Sequence, residues 1–545
     1  MDKLLPVLYR NGSVYSAADP FATAMLVDGD TVAWVGTEHA AENLAGPGVR
    51  SVDLAGALVA PGFVDSHIHT TETGLALSAV DLSTCASLQQ LLECVEAAAA
   101  AHDGVLHGHG WDESRWPEKR PPTAAELDRA SGGRSVYLAR ADVHSAAVSG
   151  TLAVALGLAE LEGWNDGFVV RTANTHARTA SRQFNESHRS GYQRAALAHA
   201  ASRGFVAVAE MAAPHIAPAE DLEGLLQLDG PHRASPLPEV IPYWAQNVTT
   251  RQEVRQTMSR FGGRLAGLAG DLNVDGSLGS RTALLREPYA DAPSSAGQAF
   301  LTPDAIAAHL SASSAEGVQA GFHVIGDAGL DLVVDALERA AREVGLEAVR
   351  RSRHRLEHVE FADEATIGSL SHFGVTVSAQ PAFDALWGAP GAMYSQRVGA
   401  HRAASMNRFG SLLAAGVPVA MGSDSPVTPM DPWASVRSCL SHSNPAERIS
   451  ARAAFIAHTR AGWRAAGAQN PLLGQLVPGA PASYAVWEVE ALMVQSADDR
   501  VQSWSTDPRA GTPLLPALDA GAAPRCLETV HYGVSLYAAE DFPPN

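Results

Sequence analysis

Residues 60–69 read Ala-Pro-Gly-Phe-Val-Asp-Ser-His-Ile-His, an apolar run that ends by placing His67 and His69 two positions apart. Residues i and i+2 of extended chain point to one side. Two imidazoles would therefore stand together at the carboxyl end of a buried strand. Neutral imidazole is the commonest metal ligand, and an open site built on it suits hydrolytic zinc. Other polar residues close or interrupt apolar runs in the same way: Glu210, Asp271 or Asp275, His323 in Gly-Phe-His-Val-Ile-Gly-Asp, His358 in Arg-Leu-Glu-His, and Asp424 in Met-Gly-Ser-Asp-Ser-Pro. The chain has 21 histidines, so any one alone could be an incidental core or surface residue. Histidines and an aspartate converging on strand ends are what point to a metal hydrolase. In that chemistry a divalent ion lowers the pKa of bound water toward about 7 and polarises a carbonyl. Asp424 is the candidate to take the water proton and pass it to the leaving group. His358 is the candidate to orient the hydroxide or the developing oxyanion. A second pair, His107-Gly108-His109, has the same spacing but falls in the expected insertion and reads as wall or substrate contact, or else as solvated loop.

These residues need a frame that brings strand ends together. From Val59 onward, short apolar runs alternate with alanine-rich stretches of helical period. The expected strands are 59–65, 205–210, 239–244, 271–274, 320–325, 355–359, 375–378 and 417–422. Expected helices between them include 193–202, 303–316, 330–344 and 363–373. Such alternation implies an α/β fold, a closed parallel (β/α)8 TIM barrel, with the site at the carboxyl ends of its strands. Residues 1–57 and 477–545 read as short strands punctuated by turns. The economical reading is one small β-sandwich divided between the N- and C-terminal segments. The barrel would then occupy 58–476, with an insertion at about 100–190.

Composition bounds the partners. The 545 residues carry a net charge of −20 with no long basic or acidic block, which argues against nucleic acid and anionic membrane. Four cysteines without a CxxC pair fit a reducing compartment. The N-terminus lacks a signal-peptide pattern, and no apolar run reaches the roughly 20 residues that span a bilayer. The expected location is the cytoplasm and the expected partner a small-molecule substrate; a homo-oligomer is left open.

The same residues resemble the amidohydrolase superfamily, and more narrowly the YtcJ-like branch with the N-substituted formamide deformylases. The similarity is carried by Val-Ala-Pro-Gly-Phe-Val-Asp-Ser-His-Ile-His at 59–69 and Gly-Trp-Asp-Glu-Ser-Arg-Trp-Pro at 110–117. It continues through Asp-Gly-Ser-Leu-Gly-Ser-Arg-Thr-Ala at 275–283, His-Val-Ile-Gly-Asp at 323–327, Glu-His at 357–358 and Gly-Ser-Asp-Ser-Pro at 422–426. Gly-Gln-Leu-Val-Pro-Gly at 474–479 is similar to the turn by which the superfamily re-enters its sandwich. The resemblance implies a metal-dependent hydrolase cleaving a non-peptide C–N bond of a small substrate through metal-activated hydroxide. It implies His67, His69 and Asp424 as metal ligands, with His323 and His358 completing one or two positions. Trp111, His144, Phe383 and Trp387 are the candidates to line the pocket, Trp111 and His144 as substrate contacts, with core or loop packing the alternative for each.

Two departures stand out. Many relatives bridge two metals with a carboxylated lysine after the fourth strand, where this chain has Asp271. Its only lysines, Lys3 and Lys119, lie elsewhere. The preferred expectation is therefore one divalent ion, zinc, on His67, His69, His323 and Asp424. The alternative is Asp271 or Glu210 as a shorter bridging carboxylate. The second departure, Ala-Ser-Tyr at 482–484 in place of Ala-Asp-hydrophobe, concerns only the sandwich. Two other functions compete: a mononuclear deaminase of a ring amidine, and an inactive metal-binding or regulatory protein.

Overall fold

The computed structural model describes residues 5–100, 104–228, 236–495, 504–505, 513–519 and 522–542. Its centre is an eight-stranded parallel sheet. We label these strands β1 (Phe63–Ile68), β2 (Phe205–Ala212), β3 (Glu239–Trp244), β4 (Gly267–Leu268), β5 (Gln319–Val324), β6 (Arg355–His358), β7 (Thr376–Ala379) and β8 (Val419–Met421). The ring closes just past β8, where Ile68 pairs with Ser425 in parallel. There Asp424 N donates to His67 O at 2.8 Å and His69 N to Ser425 O at 3.0 Å. β1 and β2 are buried along their whole length, as expected of parallel strands covered on both faces. The mixed α/β barrel with an additional sheet domain matches the expected fold class.

The helices around the barrel follow local signals. Pro303–Glu316 starts behind Thr302, whose side chain accepts from Ala305 N, has Pro at its first position, and ends at Gly317 with φ +66°. Those are the start and stop devices of an α-helix.

Two expected strands shift. The run 59–65 is shared between two sheets: Leu58–Pro61 pairs with Tyr484–Glu488 at the chain's other end, while β1 begins at Phe63. Pro61 and Gly62 make the break. The fourth strand is not 271–274 but Gly267–Leu268. Gly270, at φ +92°, turns the chain there, and a Cβ on it would come within 2.8 Å of Met211 Sδ. Asp271 consequently lies beyond the strand, over the barrel mouth.

Two further sheets are built from the chain ends, one from both ends and one from the N-terminal end alone. A five-stranded sheet combines Ser13–Val14 and Leu58–Pro61 with Tyr484–Glu488, Arg525–His531 and Val534–Ala538. A four-stranded sheet contains Val7–Arg10, Ala24–Asp28, Thr31–Gly36 and Arg50–Asp53. Tyr9, Val27, Val59, Tyr484 and Val530 share one core between them. Between β1 and β2 the chain builds a separate six-stranded sheet, reaching from Val80–Asp81 to Phe168–Val170.

Candidate metal centre

The carboxyl ends of the barrel strands deliver five side chains and one loop residue to one point. His67 is fully buried and His69 nearly so. Asp271 turns one oxygen to each: Oδ1 lies 3.5 Å from His67 Nε2 and Oδ2 lies 3.2 Å from His69 Nε2. Asp424 Oδ1 faces the same two nitrogens at 3.3 and 3.4 Å. On the other side Asp271 Oδ1 stands 3.8 Å from His323 Nδ1. The rings of His323 and His358 meet edge to face, centroids 4.5 Å apart.

Neighbours fix which nitrogen of each ring is free. His67 Nδ1 donates to Glu357 Oε2 at 2.9 Å, which leaves Nε2 bare toward the cluster. His358 Nδ1 donates to Gln380 Oε1 at 2.8 Å, and His323 Nε2 to Gly276 O at 3.4 Å. The acceptors assign these protons. Glu357 is itself gripped by Arg355, which donates from Nε and Nη2 at 2.6 and 2.9 Å. Such outer partners orient metal-binding imidazoles. His358 and Asp424 both hold left-handed backbone, φ 71° and 54°, the kind of local strain that collects at functional sites.

The electrostatics call for positive charge. Burial alone would keep His69 neutral, yet Asp271 and Asp424 against its ring push it up to about 9. His67 is raised well above its ordinary value by the same carboxylates despite burial. Both carboxylates stay ionised although buried, held below the usual range chiefly by His67. His358 goes the other way, down to about 3, through burial and the nearby His323. His67 Nε2 and Asp271 Oδ1 are buried without a hydrogen-bond partner. Orphaned imidazole nitrogen and carboxylate oxygen in one water-poor spot are the donor set of a divalent ion.

Three donor groups have all their ligand atoms within 4.8 Å among the described residues: His67, His69, Asp271; His67, His358, Asp424; and Asp271, His323, His358. None joins His323 to His67 or His69. Glu210 belongs to none of them; its Oε2 accepts from Thr70 N at 2.7 Å and anchors the turn after β1. Asp275 is likewise a backbone anchor, accepting from Ile325, Gly326 and Leu284 N at 2.9, 2.8 and 2.8 Å.

Two cavities open from the cluster. The smaller, about 470 Å³ including space open to solvent, runs past His323, His358 and Glu360 to Phe383, Trp387 and Tyr394. The larger, about 1970 Å³ including space open to solvent, lies under the helix Arg171–Ser181. His144 lines both, its ring 5.5 Å from that of His323. It comes from the six-stranded sheet, whose loop is latched to the barrel where Asp142 accepts from Ser277 and Ser280 Oγ at 3.0 and 2.7 Å.

Trp111 does not join them. It has no exposed surface, donates Nε1 to Leu138 O at 2.9 Å and stacks on Trp116. It is a packing residue of the inserted sheet, not a substrate contact. His107 packs near Tyr137 and Phe184 and lines neither cavity. Reading the sequence missed Arg355 and Glu357, although their i, i+2 spacing on a barrel strand aims both to one side. It also missed Gln380 and Glu360.

The model of the amidohydrolase family matches residues 50–537. The chain belongs to this family. Among curated relatives it is 26% identical to protein LONG AFTER FAR-RED 3 of Arabidopsis thaliana, over 88% of this chain and 86% of that one. It is 24% identical to the putative amidohydrolase YtcJ of Bacillus subtilis, over 80% and 84%. It is also 24% identical to the N-substituted formamide deformylase of Arthrobacter pascens, over 77% and 80%. These place it in the YtcJ-like branch. A solved structure of an uncharacterized metal-dependent hydrolase from Pyrococcus furiosus is 27% identical with a TM-score of 0.68, covering 88% of this chain and 98% of that one. The chain is thus a hydrolase of the metal-dependent kind. No helix among the described residues is long and apolar enough to cross a membrane.

Proposed function

We propose that the chain hydrolyses a non-peptide C–N bond of a small amide at two divalent ions, zinc by the chemistry of its ligands, that share Asp271. The position of Asp271 carries this reading. Its carboxylate faces His67 and His69 on one side and His323 on the other. The donor groups on its two sides, His67–His69–Asp271 and Asp271–His323–His358, share only Asp271. Two overlapping groups fit the donor set better than the single ion expected on His67, His69, His323 and Asp424. When bound, the ions supply an acidified water and polarise the carbonyl.

The protein groups do the rest. Asp424, ionised and buried beside His67 and His69, accepts the water proton and returns it to the departing nitrogen. His144, held down to about 4 by burial and His323, stays neutral and offers an uncharged hydrogen-bonding ring to the substrate. A formamide R–NH–CHO would take up one water and leave as formate and R–NH2. The similarity to an N-substituted formamide deformylase makes N-substituted formamides the first substrate class to try. Four free cysteines support the cytoplasm as its location.

The test is elemental analysis of the purified protein together with formate release. About two metals per chain are expected, falling to about one in Asp271→Ala with loss of turnover. One metal in both proteins would overturn the shared-ligand reading. Full metal without turnover across a panel of N-acyl amines would overturn the amide-hydrolase reading.

A further inference from the structure

The smaller cavity ends in an unusual combination. Glu360, on the turn just past β6, is 3% exposed and its Oε2 is buried with no hydrogen-bond partner. The Tyr394 hydroxyl lies near enough to interact with the Glu360 carboxyl, though outside good hydrogen-bond geometry. Around them stand Phe383, Trp387 and Tyr394, with ring centroids 4.9 Å apart for the first pair and 6.1 Å for the second. Among the described residues no arginine or lysine lines this cavity. Its other carboxylates are already engaged: Asp142 with Arg140 at 3.4 Å, Asp271 and Asp424 with the imidazoles. Glu360 is the one left over.

A buried carboxyl group without a partner is costly. The cost is recovered if a ligand brings the missing donor. Aromatic faces around a carboxylate select a cation: the ring quadrupole attracts positive charge, and the carboxylate accepts its N–H groups in charge-assisted bonds. We propose that the smaller cavity is a recognition pocket for a nitrogen cation bearing N–H groups, an amidinium, guanidinium or primary ammonium, held by Glu360 inside the Phe383, Trp387 and Tyr394 rings. Reading this ligand as the far end of the substrate rests on the hydrolase proposal; the pocket's chemistry does not.

The probe is benzamidinium, a planar cation with N–H donors and no free lone pair for a metal. Acetophenone is its neutral counterpart of similar shape. Binding to the full chain at pH 8 is followed by calorimetry and by tryptophan fluorescence. Benzamidinium is expected to bind saturably and at least about tenfold more tightly than acetophenone. Glu360→Gln should weaken benzamidinium by about tenfold and leave acetophenone unchanged. Equal binding of the two probes to the unaltered protein, a result that needs no variant, would overturn the proposal. So would no saturable binding of benzamidinium, or an unchanged affinity in a folded Glu360→Gln protein. Failure of the hydrolase reading appears separately, in metal content and formate release, and would leave the binding result standing.

Discussion

Glu357→Gln tests whether the partners of His67 set its competence as a ligand. Glu357 Oε2 accepts from both His67 Nδ1 and Arg355 Nη2, at 2.9 Å each, and Oε1 accepts from Arg355 Nε at 2.6 Å. An amide cannot reproduce this, because one of its two heavy atoms is a donor. If the NH2 group takes the Oε2 position, it meets His67 and Arg355 Nη2; His67 can relieve the clash only by moving its proton to Nε2, the nitrogen that the proposed metal site would need free. If the NH2 group takes the Oε1 position, it meets Arg355 Nε instead. Arg355, 1% exposed, would then keep the amide oxygen and Ser66 O as acceptors and the face of Tyr243 at 4.6 Å, but no anion. A buried guanidinium robbed of its charge partner costs roughly 3 kcal/mol of stability. Disturbing the group behind a metal-binding imidazole weakens the metal about 10- to 100-fold, or about 1.4–2.7 kcal/mol. Affinity is read by competition with a chromophoric chelator, and stability by urea unfolding of the loaded protein. A folded variant whose metal affinity stays within about threefold of the original would refute the orienting role.

Asp221 gives a pH test. Burial, against the hydrogen bond from Thr71 Oγ1 at 2.8 Å, pushes its carboxyl up to about 7. The folded protein holds this proton more tightly than the unfolded chain, so Asp221 favours folding below its ordinary value near 4 and loses that advantage as pH rises to about 7. Asp221→Asn, which mimics the protonated form, should match the original below pH ~4 and exceed it at pH 8 by up to ~4 kcal/mol. Melting temperatures at pH 8, 6 and 5 check this; a gap that does not grow with pH sinks it. Trp111→Phe should cost about 1–2 kcal/mol through the lost hydrogen bond to Leu138 O and the smaller ring, with kcat/KM unchanged. A specific loss of turnover in a folded variant would restore Trp111 as a substrate contact.

The barrel was legible because its signals are local. Thr302, Pro303 and Gly317 mark both ends of one helix, and fully apolar strands announce a parallel sheet. The errors arise where a local signal serves two masters. Residues 58–68 are one apolar run, and nothing in hydrophobicity says that Leu58–Pro61 joins a strand more than 400 residues away while Phe63–Ile68 joins the barrel. His67 and His69 were legible from spacing alone. Trp111 misled because it sits in a polar motif, and sequence does not say which face of a strand turns inward. Glu360 was hidden for a conformational reason: His358 and Val359 both adopt positive φ, so ordinary strand alternation stops before it.

The same reasoning explains how a short side chain could stand where relatives use a long one. Resemblance to the superfamily implies a carboxylated lysine reaching the metals from the fourth strand, and aspartate lacks that reach. In this chain the backbone makes up the difference. β4 stops at Leu268, Gly270 turns at φ +92°, and the next residue brings its carboxylate to 3.2 Å from His69 and 3.5 Å from His67. Val274 N then donates to His323 O at 2.9 Å, and His323 N to Leu272 O at 3.2 Å, which ties the turn to β5. Asp271 is thus delivered by main chain and not by side-chain length. A site built this way depends on the conformation at Gly270, which residues with a Cβ adopt only at a cost.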